Sequence, residues 1–103
     1  MVFPANWQNP ISAQSGQFQA NVDPLLLLPS RQDLSQFRLD IQMQLLDAGT
    51  QRHIPIKVTT DGVIWDGHHA IRVAAERGIP VIVLVVSQKV NPTASSILDL
   101  LVR

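Results

Sequence analysis

Apolar and polar positions alternate along HIPIKVTT (53–60), and β-branched residues fill the apolar slots, which predicts a strand. Asp61-Gly62 follows, the strongest short hairpin signal, and VIWDG (63–67) reads as the returning strand. The period then changes. HHAIRVAAERG (68–78) has helical spacing, with Ile71, Ala74 and Ala75 on its buried side and Gly78 closing it. IPVIVLVV (79–86) is a near-continuous apolar run, the pattern of a strand buried on both faces. After the loop SQKVNP (87–92), TASSILDLLVR (93–103) predicts a last helix, with Thr93 as cap and Ala94, Ile97, Leu98 and Leu101 on one stripe.

Upstream, VDPLLLLPS (22–30) is a short apolar run punctuated by prolines, suited to an edge strand or an extended lead-in. Ser30 or Asp33 can cap a helix from about Leu34 to Ala48, ended by Gly49. That helix carries two apolar stripes. Leu34, Phe37, Ile41, Leu45 and Ala48 form the first; Leu39, Met43 and Leu46 form a second, nearly opposite. A helix packed on a sheet needs one apolar face. The second stripe therefore requires a cover: the N-terminal arm, another element or a partner chain. Residues 1–21 are rich in Gln, Asn, Ser and Pro and have no sustained period. They read as a frayed arm, or as an arm whose aromatics dock on its own domain or on a second subunit. The expected order over 22–103 is β-α-β-β-α-β-α, a small α+β (α/β) domain with a mixed sheet and three helices.

Composition narrows the chemistry. A chain of 103 residues suits one modest core, and without cysteine it has no disulfide, thiolate nucleophile or Cys-ligated zinc. Eight Lys+Arg balance eight Asp+Glu, so the basic stripe that drives duplex binding is missing, and nucleic acid is disfavoured as a partner. No apolar run is long enough to span a membrane and no signal-peptide pattern is visible, so a cytoplasmic location is expected.

The candidate site is WDGHHAIRVAAE (65–76), where a strand hands over to a helix at Gly67. The first amides of a helix have no intrahelical partner and present the positive end of its dipole. Gly67 permits close approach, and His68 and His69 add donors to this ready anion site. Rotation about the helix turns His68 towards the core, as a core-edge ring bonded to a backbone carbonyl. It turns His69 to the face shared by Arg72 and Glu76, where His69 and Arg72 can hold a phosphate together. Adjacent histidines diverge on a helix and are poor partners for one metal ion, for which i,i+4 is the working spacing. Asp66 and Glu76 are at most weak ligands for a Mg²⁺ ion.

The run IPIKVTTDGVIWDGHHAIRVAAERGIPVIVLVV (54–86) resembles the ParB/sulfiredoxin-like superfamily. The resemblance rests on Gly49, PIKV at 55–58, DGHHAIRVAAERG at 66–78 and IPVIV at 79–83, in that order, and extends over about 22–86. It implies a nucleotide-phosphate site at Gly67, His68 and His69, taking ATP, CTP or ADP with Mg²⁺. Two departures matter. The catalytic cysteine of sulfiredoxins is replaced by His68, which excludes their usual chemistry. Ala70 stands where many relatives carry an arginine.

The expected function is binding of a nucleotide or other phosphorylated ligand at Gly67, His68, His69 and Arg72. Phosphoryl transfer or phosphodiester hydrolysis would use His68 or His69 as general acid or base. The alternative is a non-enzymatic protein-interaction module, as a homodimer or with another protein, working through the second stripe of helix 34–48.

Overall fold

The computed structural model describes residues 3–49 and 55–103; His53 and Ile54, at the start of the expected strand, lie outside these. Among the described residues, six strands and two α-helices follow in chain order: β1 Phe18–Val22, β2 Asp33–Leu34, α1 Gln36–Asp47, β3 Ile56–Thr59, β4 Ile64–Asp66, α2 His68–Arg77, β5 Val81–Val86 and β6 Leu101–Val102. The main sheet is mixed, in the order β1-β5-β3-β4. β5 runs parallel to β3 and antiparallel to β1, and β3 and β4 form an antiparallel hairpin. β2 and β6 form a separate parallel ladder.

The hairpin turn is built by Thr59, whose fully buried hydroxyl accepts from the amides of Asp61 and Val63. Val58, Ile64, Val83 and Val85 from the sheet meet Ile71, Val73 and Ala74 of α2, together with Leu27, Leu34, Leu39 and Ile97. Each fully buried aliphatic side chain of this kind contributes about 1.5–3 kcal/mol. Among the described residues no helix is long and apolar enough to cross a membrane.

The arm docks on its own domain. β1 pairs with β5, Trp7 Nε1 donates to the Leu26 carbonyl at 2.7 Å, and Asn9 Nδ2 donates to the Thr60 carbonyl at 2.8 Å. β1 runs across residue 22, where the domain was expected to begin, and Ile11 sits in the core.

Several sequence expectations need correction. The third helix is absent: residues 97–99 form one 3₁₀ turn and Leu101–Val102 are a strand. Backbone pairing with residues 33–36 competes successfully with a short apolar stripe there. Gln36 N donates to the Arg103 carbonyl and Arg103 N to the Leu34 carbonyl, both at 2.8 Å. The same ladder holds Leu34 extended, so α1 starts later than expected and Ser35 caps it, not Ser30 or Asp33. The lead-in at 22–30 is a 3₁₀ turn at Pro24–Leu26 followed by an isolated parallel bridge from Leu28 to Val63. β5 is buried on one face only, because Ile82 is 63% exposed while Val81, Val83 and Val85 are buried.

Each stripe of α1 is split: Leu34 of the first is buried, and Leu46 of the second is exposed. Leu39 is buried and Met43 packs against the core, whereas Phe37 is 73% exposed and Ile41 is exposed too. The domain itself covers Leu39 and Met43 of the second stripe, and the apolar side chains of α1 left open are Phe37, Ile41 and Leu46.

Candidate functional site

α2 begins at Gly67, which has φ +102° and offers no side-chain cap. That conformation is left-handed and suits glycine. A Cβ there would meet Ile56 Cγ1 at 3.1 Å, so the residue is constrained by packing as well as by its dihedral. The first amides of α2, at His68, His69 and Ala70, lie beyond the reach of intrahelical bonding.

Both histidines are buried, His68 at 5% exposure and His69 at 7%. The reason lies in α2 itself, which is covered on more than its sheet side. α1 packs along it, so His68, His69, Ile71, Val73, Ala74 and Ala75 are all buried. His68 Nε2 accepts the amide proton of Ser30 at 3.0 Å, and His69 Nε2 accepts that of Ser35 at 3.0 Å. Ser30 Oγ donates to the Ile64 carbonyl at 2.6 Å and lies 3.3 Å from His68 Nε2. An amide only donates, so each Nε2 is a lone-pair acceptor and the ring proton is on Nδ1. His68 thus accepts from an amide, in place of the expected bond to a backbone carbonyl.

Burial pushes the pKa of His68 down from 6.5 to about 4, reinforced by Arg31 and His69 and opposed by Asp66. Burial also lowers the pKa of His69, with Arg31 and Arg38 adding to the effect. Both rings are therefore neutral near pH 7.

These groups line one cleft of about 300 Å³, bounded by Arg31, Arg38, Ile41, Gln42, Asp66, Gly67, His68 and His69. Arg31 comes from the extended segment before α1 and Arg38 from the first turn of α1. The Nε of Arg31 donates to the Asp33 carbonyl at 3.1 Å, which leaves its terminal nitrogens for the cleft. Asp66 is the cleft's one carboxylate.

The remaining sequence candidates are elsewhere. Arg72 is not in the cleft: its Nε pairs with Glu76 at 2.7 Å, and its Nη1 donates to the carbonyls of Ile97 and Leu100 at 3.1 and 3.3 Å. It ties down residues 97–100, while His69 lines the cleft and is bonded to Ser35. Glu76 is held by Arg72 and does not line the cleft that Asp66 borders, and among the described residues no group of three or more His, Asp or Glu is placed to hold a metal ion. Ala70 is half-buried against the core. Arg31 and Arg38 are the site residues that sequence reasoning missed. Seven positions apart and remote from residues 67–69 in sequence, they carry no local motif; only the packing of α1 on α2 brings them in.

Comparison with known proteins found no matching family model, no matching curated protein and no matching solved structure.

Proposed function

We propose that this chain is a ParB/sulfiredoxin-like domain that binds a phosphate-bearing ligand, a nucleotide above all, in the cleft before α2. The observation that carries the reading is the convergence of Arg31 and Arg38 with the uncapped first turn of α2 in one cleft. Guanidinium groups and helix-terminal amides are complementary to phosphate oxygens. The neutral rings of His68 and His69 add Nδ1–H donors. Two arginines from outside the motif supply the charge that Ala70 omits.

This geometry favours holding over proton transfer. An Nε2 that already accepts an amide proton cannot accept one from a substrate, and a ring neutral at pH 7 is a weak acid. His68 and His69 serve as donors to the ligand and as supports for the cleft. Of the Mg²⁺ candidates, only Asp66 borders the cleft.

The test is an NMR titration of ¹⁵N-labelled protein with pyrophosphate, ATP, ADP and CTP, with and without Mg²⁺. Shifts centred on Gly67, His68, His69 and Ala70 are expected. Arg38→Ala should weaken binding at least about tenfold, the loss of one charge-assisted hydrogen bond. No shifts at these amides with any of the four compounds would overturn the reading.

One observation favours a second function. Phe37 and Ile41 leave an apolar stripe on α1 open to solvent. In that reading the stripe pairs with a second copy of the chain, and Phe37→Glu converts a concentration-dependent dimer to a monomer in light scattering. A wild-type chain that stays monomeric at high concentration rules it out.

A further inference from the structure

Residues 29–36 are gripped from two sides. On one side stand His68 and His69, each accepting a backbone amide of this segment. On the other runs the stretch 93–103. Thr93 N donates to the Pro29 carbonyl at 2.9 Å, and the Thr93 hydroxyl donates to the carbonyl of Arg31. Further along, β6 pairs with β2, and Arg103 Nε meets the Asp33 carboxylate at 2.8 Å. That stretch is in turn fastened to α2 by Arg72, through the carbonyls of Ile97 and Leu100.

We infer that residues 93–103 are a positioning strap for the cleft, in which the Thr93 hydroxyl sets the backbone that carries Arg31. The inference rests on the reading of the cleft as a phosphate site. α2 holds the Arg31 segment directly, through two imidazoles at its start, and indirectly, through Arg72 and the strap. A phosphate gripped between Arg31 and the first amides of α2 joins the same two elements a third time. Ligand occupancy and strap docking therefore favour each other, and the coupling is reciprocal. Thr93 is a positioning residue: it acts through the carbonyl of Arg31 and does not line the cleft. Arg72, expected from its spacing to touch the anion, serves the site from the far end of the strap.

The experiment uses the full chain and pyrophosphate as the probe. Thr93→Val keeps the shape and the backbone bond to Pro29 but loses the hydroxyl; Thr93→Ser keeps the hydroxyl. Thr93→Val should bind pyrophosphate about fivefold more weakly, the loss of one hydrogen bond, and Thr93→Ser should restore binding. Saturating pyrophosphate should also slow hydrogen exchange at the amides of Gln36 and Arg103, which close the ladder between segment and strap. Equal affinity in wild type and Thr93→Val overturns the proposal, as does exchange at Gln36 and Arg103 that pyrophosphate leaves unchanged. A wild-type chain that binds no pyrophosphate overturns the phosphate reading of the cleft, and the strap proposal with it.

Discussion

His69 Nε2 lies 3.0 Å from the backbone nitrogen of Ser35 and accepts its proton. Ser35 is also the N-cap of α1, its side chain accepting from the Arg38 amide. One imidazole at the start of α2 therefore fixes the start of α1 and the turn that carries Arg38. His68 does the same for Ser30, one residue before Arg31. The two adjacent rings thus orient both arginines of the cleft.

The protonation pattern follows from those bonds. Both rings should be neutral at pH 7 with the proton on Nδ1. Long-range ¹H–¹⁵N correlation spectra report this through the nitrogen shifts of each ring. An Nε2–H signature for either ring would mean that the amide bond to Ser30 or Ser35 does not form.

Acid should loosen the domain in a defined window. His68 has its pKa lowered from 6.5 to about 4 in the fold, so between these values the unfolded chain binds the proton that the folded chain refuses. The stabilisation is complete above pH 6.5 and is lost progressively as pH falls towards 4, by on the order of 3 kcal/mol in all. His69 acts in the same direction. Protonation of His68 meets no relief from Arg31 or His69, and Asp66 opposes them only in part. Urea unfolding from pH 7.5 down to 4.5 should show falling stability. His68→Gln, which offers an oxygen acceptor without a titrating ring, should flatten the slope.

How far the site was legible in the sequence divides along the chain. The strand, Gly67 and first helical turn were readable because the switch from period 2 to helical spacing and a single glycine act within a few residues. The hairpin was readable for the same reason, since Asp61-Gly62 is local turn chemistry. His69 was misplaced because a helical wheel with one buried side ignores a second covering element, and α1 covers α2 on that side. Arg31 and Arg38 were invisible because only tertiary packing brings them to residues 67–69. The strand at 101–102 is hidden behind a helical stripe for a related reason: its backbone partners, Leu34 and Gln36, lie more than sixty residues away.

Gly67 should resist substitution for two separable reasons. Alanine there must adopt φ +102° and must place a Cβ 3.1 Å from Ile56 Cγ1. We expect Gly67→Ala to destabilise by about 1–3 kcal/mol in denaturant unfolding. Ile56→Ala, which removes Cγ1, should in the same chain recover part of the packing loss and none of the dihedral strain. A Gly67→Ala variant as stable as wild type would show that the left-handed turn is not required.

The stripes of α1 can be told apart by stability alone. Leu39 is buried against the core, so Leu39→Ala should cost about 2–5 kcal/mol through lost transfer energy and the cavity left behind. Phe37 is 73% exposed, and Phe37→Ala should change the stability of the monomer by no more than about 0.5 kcal/mol. Hydrophobicity alone ranks the larger Phe37 as the costlier loss, so the order of the two variants is diagnostic. Urea titrations of both at low protein concentration give that order directly. A small effect of Leu39→Ala beside a large one of Phe37→Ala would mean that α1 is rotated by about half a turn, with Arg38 and Gln42 carried away from the first turn of α2. The same pair of measurements therefore tests the helix orientation on which the cleft depends.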